Sequence, residues 1–123
     1  MIYQPAEDSY LLQKQVKKFV KQGMKVLDMG TGSGIQAITA KEQGAEVLAV
    51  DINKECLKIP NVKTLHSDLF QNVKGSFDLI IFNPPYLPED EREPEDSKLA
   101  TTGGKKGNEI IIKFLKQVKN HLK

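Results

Sequence analysis

A glycine-rich stretch between an apolar run and a helix-forming run limits the fold of this chain more than any other feature. Lys25-Val26-Leu27-Asp28-Met29 leads into Gly30-Thr31-Gly32-Ser33-Gly34, and Ile35 to Gln43 follows. Residues 25–29 read as a short buried strand and 35–43 as a helix closed by Gly44. Glycines at alternate positions between two such elements allow a sharp backbone turn and let a ligand approach with no Cβ in the way. The alternation continues downstream. Residues 46–51 read as a second strand, Asn53 to Ile59 as a short helix stopped by Pro60, Val62 to His66 as a third strand, and Phe77 to Phe82 as a fourth, the most hydrophobic. Upstream, Leu12, Val16, Phe19 and Val20 recur at helical spacing among lysines. They predict an amphipathic helix over 9–21, capped by Ser9 or Asp8 and ended by Gly23. A last helix, 108–121, has Asn108 as its candidate cap and Ile111, Leu115, Val118 and Leu122 on one face. Near-continuously apolar strands alternating with helices call for an α/β fold with a parallel sheet covered on both faces. Right-handed crossovers make the first strand central, predict the order 3-2-1-4, and put ligands at the carboxyl ends of the strands.

A chain of 123 residues is one domain's worth, and no repeat or linker divides residues 1–123. No apolar run exceeds four residues, as in Leu79-Ile80-Ile81-Phe82, far short of the ~20 that span a bilayer. Met1 to Asp8 has no basic segment followed by an apolar stretch, so it is not a signal peptide, and the expected compartment is the cytoplasm. The single cysteine excludes an internal disulfide. Without His/Cys clusters no metal site is expected, and His66 and Cys56 read as structural, as does Asp78. The net charge of +2 conceals a division. Residues 87–96 hold six acids against Arg92 alone, and removing them leaves 17 basic and 10 acidic residues, a net +7. A basic body suits nucleic acid or an acidic partner, but it equally suits a solvated lysine-rich surface. The acidic run reads as a solvated loop inside an aperiodic segment, 83–107, that carries four of the six prolines.

The loop's spacing narrows its ligand. The dinucleotide fingerprint needs a third glycine where Ile35 stands, and the Gly-Lys-Ser/Thr of the phosphate-binding P-loop is missing. By itself the loop is also compatible with an ordinary tight strand–helix turn. The acids at the strand ends add to it. Asp28 lies in the first strand, Asp51 ends the second 23 residues later, and Asp68 follows the third. Asp51 is near the ~20-residue offset at which a carboxylate meets ribose hydroxyls. Each acid singly also reads as a loop-start or capping residue. Together they would line one edge of the sheet, repel a pyrophosphate, and suit a ligand with a ribose, an exocyclic amine and positive charge. S-adenosyl-L-methionine has all three.

Val26-Leu27-Asp28-Met29-Gly30-Thr31-Gly32-Ser33-Gly34 resembles motif I of the class I S-adenosyl-L-methionine-dependent methyltransferases. The resemblance implies a Rossmann-like three-layer sandwich with that cofactor. The backbone of Gly30, Thr31, Gly32 and Gly34 would hold the methionine end. Asp28 would lie near the ammonium, Asp51 with Ile52 at the ribose, and Asp68 with Leu69 at the adenine. Directly after the fourth strand, at the same edge, comes Asn83-Pro84-Pro85-Tyr86. An amide or aromatic amine nitrogen is a poor nucleophile because its lone pair is delocalised. The Asn83 side-chain oxygen and the Pro84 carbonyl can accept its two N–H bonds and disperse charge as it builds on nitrogen. Pro84 and Pro85 fix the backbone in advance, and Tyr86 offers a flat face to a planar group.

This tetrapeptide is similar to that of methyltransferases acting on planar amino groups. The opening Tyr3-Gln4-Pro5-Ala6-Glu7-Asp8-Ser9 resembles the HemK-like branch found in archaea and eukaryotes, as does Thr102-Gly103-Gly104-Lys105-Lys106-Gly107. That branch methylates the glutamine of the Gly-Gly-Gln motif in peptide-chain release factors, and its eukaryotic members are also associated with lysine methylation. The resemblance implies that Glu7, Asp8 and Ser9 fold over the cofactor, although a helix-capping cluster reads the same way. It also implies a small zinc-binding activator subunit. Two alternatives stay open: methylation of an exocyclic amine in RNA or DNA, and an inactive cofactor-binding remnant or subunit. Four strands are legible where the family core has seven, so a C-terminal truncation is expected. The apolar fourth strand would then be an exposed edge for an activator or a second copy to cover.

Overall fold

The structure, a computed structural model, describes residues 7–83 and 109–123. Its elements in chain order are helix α1 (Glu7–Phe19), strand β1 (Lys25–Met29), helix α2 (Ile35–Glu42), strand β2 (Glu46–Asp51), a 3-10 turn (Lys54–Leu57), strand β3 (Lys63–His66), strand β4 (Leu79–Phe82) and helix α3 (Glu109–Val118). The four strands form one sheet of order β3-β2-β1-β4 with every pairing parallel, as the alternation predicts.

Side chains alternate across the sheet with the two-residue period of a strand. Val26, Val47, Ala49 and Ile81 face α1 and α2, where they pack with Val16, Val20, Ala37 and Ala40. Leu27, Met29 and Val50 face the other way, against Leu69, Phe70, Val73, Phe77 and Phe114. Both faces of each inner strand are therefore buried, which is why β1 and β2 read as apolar runs. Burying a large side chain such as Leu27 or Phe77 contributes roughly 1.5–3 kcal/mol.

Several local expectations shift. Helix α1 begins at Glu7, so Asp8 and Ser9 lie inside its first turn instead of capping it, and the Ser9 N–H bonds to Asp8 Oδ1. The segment after β2 is a single 3-10 turn capped by the Asn53 side chain. In α3 the buried face is Ile110, Phe114 and Val118 rather than the line through Leu115 and Leu122, both of which are exposed. The cause is aromatic packing: Phe114 stacks on Phe82 at 4.0 Å and meets Phe70 at 5.4 Å, and this turns the helix. Asp78 is structural, as expected. Its Oδ2 accepts from the Lys25 N–H at 2.7 Å, and its Oδ1 lies 3.6 Å from Lys123 Nζ.

The outer edge of β4 is not wholly bare. Just before the strand, the Phe77 N–H bonds to the His121 carbonyl at 2.7 Å, and the Lys123 N–H bonds to the Phe77 carbonyl at 3.0 Å. This makes a short parallel bridge, Phe77 to Leu122. Beyond it, Leu79–Phe82 with Leu12, Gln15, Val16 and Phe19 line an open groove of about 230 Å³.

Candidate active site

Register fixes the site. Met29 is paired with both Val50 and Phe82, and Asp51 with His66. The residues that follow these partners, Gly30, Asp51, Ser67-Asp68 and Asn83, therefore leave the sheet in a row at its carboxyl edge. The Gly30 and Thr31 N–H groups both bond to the Val50 carbonyl, and the Ser67 N–H bonds to the Asp51 carbonyl, so three strand ends are tied together.

The loop turns through left-handed backbone at Gly30 (φ 69°), Gly32 (φ 56°) and Gly34 (φ 87°), which side-chain-bearing residues rarely adopt. A Cβ on Gly34 would stand 3.1 Å from the Ile59 side chain, whereas one on Gly30 would meet nothing nearer than Phe82 at 4.0 Å. Gly30 is thus bare backbone facing open space, a cradle for a ligand. Asp51 holds the loop's other side: its Oδ2 accepts from the Gly32 N–H and its Oδ1 from the Asn53 N–H, both at 2.9 Å. One backbone N–H on each oxygen, with the Cys56 thiol also hydrogen-bonded to this carboxylate, leaves part of its acceptor capacity open. Ile52 beside it is exposed and apolar.

Asp28 is buried on the α2 side of β1, with the Thr31 hydroxyl donating to its Oδ2 at 2.7 Å. Burial raises its pKa from 3.8 to about 7; the Thr31 hydroxyl and the Ala37 backbone oppose the rise, and the charge of Asp51 adds to it. A buried acid in this state favours a cation beside it. Asp68 sits on a turn fixed by the Ser67 hydroxyl, which donates to the Leu69 carbonyl at 2.7 Å. Leu69 itself is buried at φ 51°. The Asp68 side chain is half-exposed and paired with Lys113. A glycine cradle, a ribose-ready acid, a buried acid for a cation and an acceptor for an amine fit the donor groups of S-adenosyl-L-methionine.

Of the α1 residues named from sequence, Ser9 is buried, Asp8 half-buried and Glu7 exposed. The Ser9 carbonyl accepts from Gln36 Nε2 at 2.8 Å, and Gln13 Nε2 donates to the Thr39 hydroxyl at 3.0 Å. These bonds dock α1 on α2, the first of them joining their first turns next to the glycine loop. Sequence reasoning missed Gln36, whose Oε1 is buried with no partner, and Lys113. A lone glutamine in a helix carries no signal of its own, and the Lys113–Asp68 pair spans 45 residues. Asn83 is half-buried at the end of β4. Residues 3–6, Pro84, Pro85, Tyr86, the acidic run 87–96, the 102–107 stretch and the Asn108 cap lie outside the described residues.

Cys56 and His66 behave structurally. The Cys56 thiol is buried and pushed up to about 11, chiefly by burial, so it stays protonated. His66 Nε2 lies 2.9 Å from the Ile52 carbonyl. Among the described residues no cluster of His, Cys, Asp or Glu could hold a metal, and no helix is long and apolar enough to cross a membrane.

Residues 7–98 match the model of the methyltransferase small domain. A putative protein N5-glutamine methyltransferase of Methanocaldococcus jannaschii is 42% identical over 99% of this chain, which spans 67% of that relative. The release factor glutamine methyltransferase of Lactococcus lactis is 34% identical over 83% of this chain, which spans 44% of it. Mouse methyltransferase HEMK2 is 31% identical over 92% of this chain, which spans 63% of it. Among solved structures, the E. cuniculi Mtq2–Trm112 complex, described as responsible for methylating the translation termination factor eRF1, superposes with a TM-score of 0.80. It is 28% identical, over 95% of this chain and 68% of its own. The glycine cradle, the acids at the strand ends and these matches converge: the chain belongs to the methyltransferase small-domain family, the S-adenosyl-L-methionine-dependent methyltransferases.

Proposed function

We propose that the protein methylates the side-chain amide nitrogen of a glutamine in a peptide-chain release factor. The observation that carries this reading is the row of strand ends: Asn83 follows Phe82, which pairs with Met29 just before the glycine loop, and the three acids lie along the rest of the same edge. Support for the acceptor comes from the relatives in M. jannaschii and L. lactis, whose names specify glutamine.

S-adenosyl-L-methionine, when bound, supplies a methyl group already activated on a sulfonium. The chain's own part is positioning. Asp51 offers its remaining acceptor capacity to the ribose, with Ile52 as an apolar neighbour. Asp68, on the turn with Leu69, accepts from the adenine amine. The backbone of Gly30, Thr31, Gly32 and Gly34 lies along the methionine end, and Asp28 balances its ammonium. Glu7, Asp8 and Ser9 cover that end, with the Ser9 carbonyl held by Gln36 of α2. Asn83 and the Pro84 carbonyl would accept the two N–H bonds of the amide, with the Pro85 ring restricting its own φ and the Tyr86 ring offering a flat face to the planar group. These contacts aim the nitrogen lone pair and disperse the charge that develops on it, so no strong base is needed.

A second reading, methylation of an exocyclic amine in RNA or DNA, is favoured by one observation: outside residues 87–96 the chain carries a net +7. The experiment incubates the protein with labelled S-adenosyl-L-methionine and, in parallel, release factor, tRNA, rRNA and DNA. Label in the release-factor glutamine supports the first reading. Label only in nucleic acid replaces it with the second, and donor binding without transfer to any of them makes the chain a cofactor-binding subunit.

The same reading includes a small partner subunit, as in the Mtq2–Trm112 complex, and a cytoplasmic site of action shared with translation. The open apolar groove beside β4 is the surface assigned to that subunit, with a second copy of the chain as the competing occupant. Light scattering that finds a stable monomer, with no partner recovered on purification from its native cells, would contradict it.

A further inference from the structure

We propose that Lys113 is a positioning residue for the cofactor, holding the Asp68 carboxylate so that it selects the exocyclic amine of adenine. This rests on the reading of Asp68 given above. Lys113 Nζ donates to Asp68 Oδ2 at 3.3 Å, across 45 residues of sequence. The two side chains are 49% and 41% exposed, and an ion pair at such exposure adds little to the stability of a fold. Its consequence is orientation.

The backbone around Asp68 is already set. The Gln71 N–H bonds to the Asp68 carbonyl at 3.1 Å, and the Ser67 hydroxyl spans to the Leu69 carbonyl. The rotation of the Asp68 side chain is what remains, and among the described residues Lys113 is what holds it. Because Lys113 takes Oδ2, Oδ1 is left to accept. A fixed, ionised oxygen attracts an N–H donor and repels a carbonyl oxygen at the same place, so it separates a 6-amino from a 6-oxo purine. The neighbouring residue Phe114 stacks at 4.0 Å on Phe82, the residue before Asn83. Adjacent positions of α3 thus reach the two ends of the site, one the adenine acid and the other the strand that carries the acceptor asparagine.

The test titrates the full protein by calorimetry with two uncharged probes, 5′-methylthioadenosine and its 6-oxo counterpart 5′-methylthioinosine. Neither probe has a charge for the lysine to attract or repel at a distance. The wild type should prefer the amine form about tenfold, the scale of one charge-assisted hydrogen bond. K113M should cut that preference to about threefold with an unchanged melting temperature, K113R should restore it, and D68N should abolish it. A structural role for Lys113 would weaken both probes alike and leave the ratio intact, so a K113M protein with the wild-type ratio overturns the proposal. Wild-type protein that binds both probes equally, or neither, overturns the reading of Asp68 itself, and this proposal falls with it.

Discussion

The two halves of the carboxyl edge are built in different ways. On the β1–β2 side nearly every group is tied to a near neighbour: Thr31 to Asp28, Gly32 and Asn53 to Asp51, and Gly30 and Thr31 to the Val50 carbonyl. On the β4 side the strand that carries Asn83 pairs with β1 but is backed by aromatic packing on Phe114, more than thirty residues downstream of Phe82, and part of its outer edge opens on an apolar groove. The first half is shaped by fixed polar groups. The second depends on how α3 sits. Donor binding and acceptor positioning should therefore be separable by mutation.

The largest effect is expected at Asn83. N83A should lower methyl transfer by about 10²–10³-fold, the scale for losing one preorganised hydrogen-bond partner of the developing charge. Affinity for the donor should stay within a few-fold, since the β1–β2 half is untouched. Single-turnover transfer and calorimetry measure the two quantities separately, and full activity would remove Asn83 from the mechanism.

F114A comes next. It empties the space between Phe82 and Phe70 and should destabilise the protein by about 3 kcal/mol in urea unfolding. At temperatures where the variant is folded, transfer should fall more than donor binding. Equal losses in both would join the halves that the comparison separates. G34A sharpens the contrast from the other side. A left-handed backbone position and a 3.1 Å approach to Ile59 should cost about 1–2 kcal/mol in stability, with donor affinity lost first.

The smallest effect is on pH dependence. Because the folded-state pKa of Asp28 is raised from 3.8 to about 7, the folded chain holds this proton more tightly than the unfolded chain does. Its contribution to stability is fully present below about pH 4 and lost as the pH rises through 7. D28N mimics the protonated acid. It should gain on the wild type by under about 1 kcal/mol between pH 6.5 and 8 in paired unfolding curves. A gap that stays constant over that window would place the titration elsewhere.

How much of this was legible in the sequence follows the same division. The positions of Asp28, the three loop glycines and Asp51 could be read because they are set by turn geometry and by where a strand stops. The strand order followed from uninterrupted apolar runs and right-handed crossovers. Apart from Val118, which both lines share, the rotation of α3 could not be read, because the line Ile111, Leu115, Val118 and Leu122 is as apolar as Ile110, Phe114 and Val118 until the positions of Phe70 and Phe82 are known. The bonds of Gln36 and Lys113 were invisible for a related reason: each joins residues far apart in sequence, with no pattern to announce the pairing. The apolar spacing of α1 leaves out Glu7 and Asp8, whereas both, with Ser9, are members of the helix and not caps.

The central claim is that the methyl donor lies across the ends of β1, β2 and β3 with its transferable carbon toward Asn83. A crystal structure of the protein grown with S-adenosyl-L-homocysteine tests it most directly. The account predicts the ribose on Asp51, the adenine amine on Asp68 and the sulfur facing Asn83. The homocysteine moiety or the adenine found elsewhere, or a saturating ligand that leaves this edge empty, would contradict it.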